Sequence, residues 1–482
     1  MDGLPTEFRT EPEKVFNNLN CFSSSVAIIS DNGLVTSYEQ LLRIADGFGN
    51  AVSKRSIVLL VCENCIESIA SYLGFIRFGI VPILIDNKTN IDFVKSIQQN
   101  YKVKYICAQE TYLEFYFADY KQNHNIIYSN GSYNIAEFDR IENNYLVNSD
   151  LALLLPTSGS TGSAKFVRIS YKNLYSNTKS ISKSLPIEST DRVITTMPMS
   201  YSYGLSIINT HLFNGASILV TNKSFMEKEF WSVLSKAKIT TFGGVPFIYE
   251  MLKRLNFSEM EFDSLKYITQ AGGKLASSLI EYFLTSCKKM GVDFYIMYGQ
   301  TEATARMSVL SSSDIGNKKT SIGKAIPEGE FSLIDEGGNS VNNDIPGELV
   351  YFGNNVSMGY AENYSDLTLG DTNKGKLYTG DIAKRDSDGF YYIVGRKNRF
   401  VKIFGVRVGL DDVENFLNSK GIESACSGSD NKLKIYISNP DSISRIKEIV
   451  TENRLFHHKG YSIHLINSIP RNKSGKIIYS QL

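Results

Sequence analysis

The chain predicts a mixed α/β protein with a large amino-terminal lobe of layered β-α-β sheets, a compact β unit, and a small mobile α+β lobe at the carboxyl end. Three observations lead there. Between about residues 37 and 300, short β-branched runs alternate with longer segments of helical period, the pattern of stacked β-α-β units. From about 320 the texture changes to strands punctuated by glycine. After Arg396 the charge balance changes sign: residues 396–482 hold 15 Lys and Arg against 8 Asp and Glu, a net of +7, while residues 1–395 carry a net of −6. A chain of 482 residues exceeds one ordinary core, so a boundary at 395/396 is expected between a domain of residues 1–395 and one of 396–482.

In chain order, Ile57 to Cys62 and Ile80 to Ile85 read as strands enclosing a helix over Glu67 to Leu73. Further strands are expected at Val103 to Cys107, Leu151 to Leu155, Arg192 to Met197, Ala216 to Val220, Ile239 to Phe242, Lys266 to Gln270 and Asp293 to Tyr298. Parallel β-α-β layers gather ligands at the carboxyl ends of their strands. Gly347 to Gly353 and Gly389 to Gly395 are the glycine-bounded strands of the β unit. In the last lobe Val413, Phe416 and Leu417 share one helical face of Asp411 to Leu417, and Leu433 to Ile437 alternates as a half-exposed strand.

Composition narrows the function. The 51 Lys and Arg balance the 50 Asp and Glu, so no overall basic field draws the chain to nucleic acid or an anionic membrane. The basic end facing an acidic remainder suits a polyanion held between them, or equally a solvated positive surface. Six scattered cysteines and the lack of a charged-then-apolar leader point to a reducing, cytoplasmic setting. Cys62 and Cys65 are separated by two residues but have no second pair and no nearby His, so a buried strand end is expected rather than a zinc site. No apolar run approaches the roughly 18 residues of a membrane span.

The richest segment is Thr157-Ser158-Gly159-Ser160-Thr161-Gly162-Ser163-Ala164-Lys165, directly after the apolar run 151–156. Glycines let the backbone approach an oxyanion, hydroxyls and amides donate to it, and the lysine adds charge. It is not the common nucleotide loop, which places Gly immediately before Lys. A flexible linker has a similar composition. Tyr298-Gly299-Gln300-Thr301-Glu302 sits just past a strand, where a carboxylate can hold Mg²⁺ and a hydroxyl can donate to a phosphoryl oxygen; Glu302 also suits the first turn of a helix. Asp381, after the Gly380 turn, can accept both hydroxyls of a ribose, and Arg396 can pair with phosphate; a plain turn and a linker arginine are the alternatives. Lys476, on the Ser474-Gly475 turn, is either carried into a distant site or part of a basic tail.

Taken in order, these segments resemble the adenylate-forming superfamily of acyl-CoA synthetases, peptide-synthetase adenylation domains and luciferases, over nearly the whole chain. The type approached most is a stand-alone AMP-forming acyl-CoA synthetase. The resemblance also draws on Met197 to Leu205 as an aromatic substrate-side motif, Ala271 to Leu275 as the turn lining adenine, and Gly395 to Gly405 as a hinge. It implies that Thr157, Ser158, Gly159, Ser160, Thr161, Gly162 and Lys165 hold the β- and γ-phosphates of ATP. Gly272, Gly273, Tyr298 and Gly299 would border the nucleotide, Asp381 the ribose, and Arg396 the ribose or phosphate. Thr301 would touch the α-phosphate, Glu302 with Thr161 would serve Mg²⁺, and Lys476 would bridge the acid and the α-phosphate. Residues 1–395 would then be the adenylation core, and 396–482 the domain that brings the lysine.

The implied acyl pocket is Tyr201, Tyr203, Gly204, Phe242, Gly243, Val245 and Ala303, which suits a neutral or aromatic carboxylate. No acid lies within 199–206 to pair with an ammonium, so an α-amino acid is disfavoured. Ala164 stands where many members have Pro, Asn398 where the hinge has Asp or Lys, Asn472 where Thr is common, and Tyr201 where many have His. The chain stops six residues past Lys476, so the thiol acceptor is expected from outside. CoA is favoured, with the phosphopantetheine of a separate carrier protein as the alternative. A non-catalytic nucleotide-binding scaffold and a luciferase-like oxidase are the competing classes.

Overall fold

The computed structural model describes residues 16–116, 124–138, 141, 145–157, 165–397, 399–403, 406–429, 431–452, 460–471 and 475–482. The fold is mixed α/β, and two compact units divide it. The first comprises residues 1–319, 325–330 and 352–377, and the second residues 320–324, 331–351 and 378–482.

Two sheets dominate the first unit. In one, eight strands lie in the order Tyr360–Ala361, Phe166–Ser170, Leu151–Pro156, Val81–Asp86, Ile57–Cys62, Tyr105–Gln109, Tyr133–Phe138 and His124–Asn130. Its centre is parallel and wholly buried, as expected of near-continuous Val, Ile and Leu runs. In the other, the strands at 192–194, 217–220, 241–244, 267–270 and 293–299 each pair in parallel with their neighbours. All nine sequence-predicted strands between 57 and 299 are present, with ends shifted by at most three residues.

The expectation of uniformly parallel layers needs correction at the margins. Phe166–Ser170 runs antiparallel to Leu151–Pro156, with Pro156 opposite Phe166. The segment 157–165 therefore joins the two strands of an antiparallel pair. The pairs 105–109 with 133–138, and 293–299 with 306–310, are antiparallel as well. A periodicity of two does not distinguish strand direction.

Cys62 is buried at its strand end and Cys65 caps the helix Ile66–Arg77; all six cysteines are free thiols. Among the described residues no helix is long and apolar enough to cross a membrane.

The second unit contains the sheet Gly329–Ile334, Gly347–Gly353, Lys376–Arg385, Tyr391–Arg396, whose first and third strands begin in the first unit. It also holds the hairpin Phe400–Ile403 with Val406–Gly409, and a three-stranded sheet at 425–429, 432–437 and 461–465. The helix Leu410–Ser419 buries Leu410, Val413 and Leu417 against Ile435 and Ile437, the face its periodicity announced. It also buries Glu414, which accepts from Arg399, the Cys426 amide and the Tyr479 hydroxyl. The Arg399 guanidinium lies 3.5 Å above the Tyr479 ring. The end of the chain is thus fastened to this helix by a buried charge whose oxygens are satisfied.

A second buried charge organises the first unit. Arg168, 1% exposed, donates from Nε to the Tyr360 carbonyl at 2.9 Å, from Nη1 to Leu369 at 2.5 Å, and from Nη2 to Met358 at 2.7 Å. Its main chain exchanges bonds with the same segment, Arg168 N to Gly359 O and Met358 N to Arg168 O. Arg168→Met would leave three buried acceptors stranded, at about 1–3 kcal/mol each before the recovered desolvation of the charge. The expected net loss is about 3 kcal/mol, read as a lower urea midpoint of the first unfolding transition. A loss below about 1 kcal/mol would show that the carbonyls find other donors.

Candidate active site

The turn that follows the strand Asp293–Gly299 is the most constrained piece of backbone in the first unit. An ideal Cβ on Gly299 would lie 1.9 Å from the Ala305 carbonyl oxygen, so only glycine allows the returning strand to pass this close. Thr301–Ala303 then form one 3₁₀ turn, and Thr304 ends it with φ of 68°, a costly conformation for a β-branched residue. Packing holds it there. The Thr304 hydroxyl donates to the Asn355 carbonyl at 2.7 Å, Asn355 Nδ2 donates to the Ala303 carbonyl at 3.0 Å, and the Ser357 amide donates to the Glu302 carbonyl at 2.9 Å.

That turn presents two groups. The Thr301 hydroxyl meets the Ser202 hydroxyl at 3.1 Å, at the start of the helix Ser202–Phe213. The half-buried Glu302 accepts from the Tyr360 hydroxyl at 2.9 Å. Burial first, and the neighbouring carboxylate second, raise the Tyr360 hydroxyl well above the usual phenol range, so it stays a donor. Lys165 Nζ stands 4.0 Å from the centre of the same ring and 3.8 Å from Glu362 Oε1. One aromatic ring therefore carries the lysine at the end of the glycine-rich loop on its face and the carboxylate of a distant turn on its hydroxyl. Of the loop, Thr157 and Lys165 are described; Ser158, Gly159, Ser160, Thr161 and Gly162 lie outside the described residues.

Around the aromatic motif the first unit is tightly packed. Gly272, at φ of +83°, admits the Tyr201 hydroxyl, which would stand 2.5 Å from a Cβ at that position. Burial pushes the Tyr201 hydroxyl up to about 12. The buried Gln270 carboxamide donates to the Gly273 carbonyl at 2.8 Å and so shapes the 271–273 turn. Tyr203 is buried and bonded to Thr269, and Gly243 leaves room for its hydroxyl. Gly204 lies against the Pro198 carbonyl, and Val245 precedes the helix Pro246–Arg254. Phe242 turns its ring into an aromatic cluster with Phe225 and Phe257, leaving its backbone, not its ring, for any ligand on that strand. Ala303 is fully buried. Tyr298 ends its strand, and its hydroxyl accepts from Gln300.

In the second unit Asp381 and Arg396 are cross-strand partners, with Arg396 Nε 2.7 Å from Asp381 Oδ1. Asp381 is 2% exposed and follows Gly380, whose φ is +70°. Lys476 is half-buried beside the bridge between Arg471 and Ile477, where Arg471 Nη1 caps the Gly475 carbonyl at 2.7 Å. Asn398 and Asn472 lie outside the described residues. Among the described residues no three His, Cys, Asp or Glu gather into a group that could hold a metal ion.

The family model for AMP-binding enzymes matches residues 17–361, from the start of the first unit to the strand that carries Tyr360. The chain belongs to the AMP-binding enzyme family. The adenylate-forming resemblance is thereby confirmed at the level of the superfamily. A long-chain-fatty-acid–CoA ligase of Yersinia pestis is 30% identical over 358 residues, 70% of this chain and 62% of the relative. The chain thus spans less than two thirds of that ligase. A 2-succinylbenzoate–CoA ligase of Oceanobacillus iheyensis is 23% identical over 495 residues, 98% of this chain and 99% of the relative. The solved structure of o-succinylbenzoate CoA synthetase from Bacillus subtilis, in complex with its acyl-adenylate intermediate, superposes with a TM-score of 0.78 at 18% identity, covering 98% of each chain. That similarity establishes a shared fold.

Tyr360 and Arg168 escaped the sequence motifs of this AMP-binding enzyme. Tyr360 lies 58 residues from Glu302 in a two-residue strand, and its only local signal is the preceding Gly359, at φ of +107°.

Proposed function

We propose that the chain is an AMP-forming acid–thiol ligase that activates a carboxylic acid with ATP and passes the acyl group to a thiol, CoA being favoured over the phosphopantetheine of a carrier protein. The observation that carries this is the Lys165–Tyr360–Glu302 linkage, which couples a glycine-rich loop to a strand-end carboxylate with the Thr301 hydroxyl alongside. Family membership and the CoA ligases among its relatives support the same reading.

In the first step an oxygen of the acid attacks the α-phosphorus of ATP, an acyl–O–P bond forms, and the bond to pyrophosphate breaks. The acid is already ionised at neutral pH, so no general base is required. What must be overcome is repulsion between anions and the charge that builds on the non-bridging oxygens. Lys165 would hold the pyrophosphate end with the hydroxyls and amides of 157–162. The Thr301 hydroxyl would donate to the α-phosphate, and Lys476 would bridge it to the acid. Asp381 and Arg396 would meet the ribose, and residues 271–273 with Tyr298 and Gly299 the base. In the second step the thiolate attacks the acyl carbon and AMP leaves. Tyr201, Tyr203, Gly204, Gly243, Val245 and Ala303, with the main chain at Phe242, would border the acyl group.

One carboxylate fits magnesium, which takes one or two protein ligands and completes its shell with water and phosphate oxygens. Glu302 would hold it with Thr161, and the ion would supply positive charge against the phosphate oxygens. Residues 1–395 would form the adenylation core and 396–482 the mobile domain that brings Lys476. Six free thiols suit a cytoplasmic setting.

Lys476→Ala is expected to abolish carboxylate-dependent exchange of pyrophosphate into ATP while sparing thioester formation from a supplied acyl-adenylate; an unchanged exchange rate would remove Lys476 from the adenylation step. Tyr360→Phe keeps the ring under Lys165 and deletes the donor to Glu302. It is expected to raise KM for MgATP about fivefold, the worth of one hydrogen bond of about 1 kcal/mol, with kcat within about twofold. Initial rates at varied magnesium check this, and an unchanged KM would mean that Glu302 needs no orienting partner.

A further inference from the structure

Two glycines beside the aromatic motif open gaps at strand ends, and the chain fills both with its own tyrosines. Gly243 and Thr269 are cross-strand partners. A Cβ on Gly243 would lie 2.7 Å from Ile207 Cδ1, 2.8 Å from the Tyr203 hydroxyl and 2.9 Å from Thr269 Oγ1, so the space that glycine leaves is already taken. A Cβ on Gly272 would lie 2.5 Å from the Tyr201 hydroxyl and 3.0 Å from Val245 Cγ1. The two tyrosine rings stand edge to face with their centres 6.5 Å apart.

The two tyrosines are not held alike. Tyr203 is 3% exposed, and its hydroxyl bonds the Thr269 carbonyl at 3.0 Å and the Thr269 hydroxyl at 2.8 Å. Its ring also lies against Arg306, whose guanidinium carbon is 5.5 Å from the ring centre and whose Nε donates to the Ser206 hydroxyl at 3.2 Å. Tyr201 is half-buried, and its hydroxyl makes no hydrogen bond among the described residues. Beside it Gly272 is half-buried and Gly273 exposed, so Tyr201 stands nearer the surface and Tyr203 beneath it. Ser202, between them in the chain, meets the Thr301 hydroxyl at 3.1 Å. A group seated beside Thr301 can therefore push Tyr201 aside without breaking a hydrogen bond. Displacing Tyr203 breaks both bonds to Thr269 and strips a buried cation of its aromatic neighbour.

We propose that Tyr203 is the floor of the acyl site, and that the acid is a short one whose hydrocarbon ends against this ring. The assignment rests on the adenylation reading for the place of the acyl group, beside Thr301. In an open apolar tunnel each added methylene strengthens binding. Against a packed floor each methylene beyond the stop forces the ring out, as in an overfilled core, so the preference turns over with chain length. A tail that passed the ring would meet the released hydroxyl and carbonyl of Thr269 and the Arg306 guanidinium instead of apolar surface, and would leave them buried without partners. Tyr203 thus sets the length of the acid, while Tyr201 yields to let it in.

The test compares butanoate, octanoate and dodecanoate on the wild type, Tyr203→Ala and Tyr203→Phe. Pyrophosphate exchange gives kcat/KM, and titration calorimetry without ATP gives binding. The expected result is a wild-type preference in kcat/KM of about a hundredfold or more for butanoate over octanoate. In Tyr203→Ala that preference should fall to about tenfold or less through an absolute gain on octanoate, which a folding defect does not produce. Tyr203→Phe keeps the ring but loses both bonds to Thr269, and should lie between the two. Use of octanoate or dodecanoate as well as butanoate by the wild type would overturn the proposal, and that comparison stands even if Tyr203→Ala does not fold. An equal loss for all three acids in Tyr203→Ala would also overturn it, since the residue would then serve packing. If exchange is silent with every acid while octanoate binds Tyr203→Ala but not the wild type, the adenylation reading falls and the floor stands. Silence with no such gain in binding removes the floor.

Discussion

The buried guanidinium of Arg168, bound to three main-chain carbonyls, is the joint on which the first unit's site depends. It lies three residues after Lys165, in the strand that closes the glycine-rich loop, and one of its acceptors is the carbonyl of Tyr360. The same side chain therefore fixes the strand that ends the loop and the residue whose ring receives the lysine and whose hydroxyl receives Glu302. Carbonyl partners leave the cation's charge formally uncompensated, which burial makes expensive. They also hold three points of one segment in a single geometry, which a carboxylate on a flexible side chain would not.

Around that joint the chain tolerates local strain. Gly299 accepts contact with the Ala305 carbonyl that no side chain allows, and Thr304 adopts a left-handed backbone. Bonds from Asn355 and Ser357 balance both. Strain held by surrounding structure is common where side chains must point in unfavourable directions, and here the turn carries the buried Thr301 and the half-buried Glu302. In the second unit the buried carboxylates are handled differently. Asp381 faces its cross-strand partner Arg396, and Glu414 is saturated by Arg399, Tyr479 and the Cys426 amide. Glu414 thus secures the end of the chain that carries Lys476 to the helix at 410–419.

The positions of the strands from 57 to 299 were legible because buried parallel strands are continuous apolar runs bounded by turns. Direction was not legible: the antiparallel hairpin at 151–170 carries the same signal as a parallel strand. Thr301 and Glu302 could be found because they follow a strand end in a compact motif. Tyr360, Arg168 and Glu414 could not. Each matters through what surrounds it in space, and a buried arginine reads in the sequence as one more surface cation. The small C-terminal helix was legible from its apolar face, whereas the burial of Glu414 on that helix left no mark in the periodicity.

The central claim is that the acid's own oxygen attacks the α-phosphorus of ATP. It is tested most directly by incubating the protein with ATP, CoA and an acid labelled with ¹⁸O in the carboxylate, and weighing the nucleotide and phosphate products. Attack by the acid's oxygen leaves AMP carrying one labelled oxygen, with unlabelled pyrophosphate. Label in inorganic phosphate with ADP as the nucleotide product, or AMP without label, would contradict it.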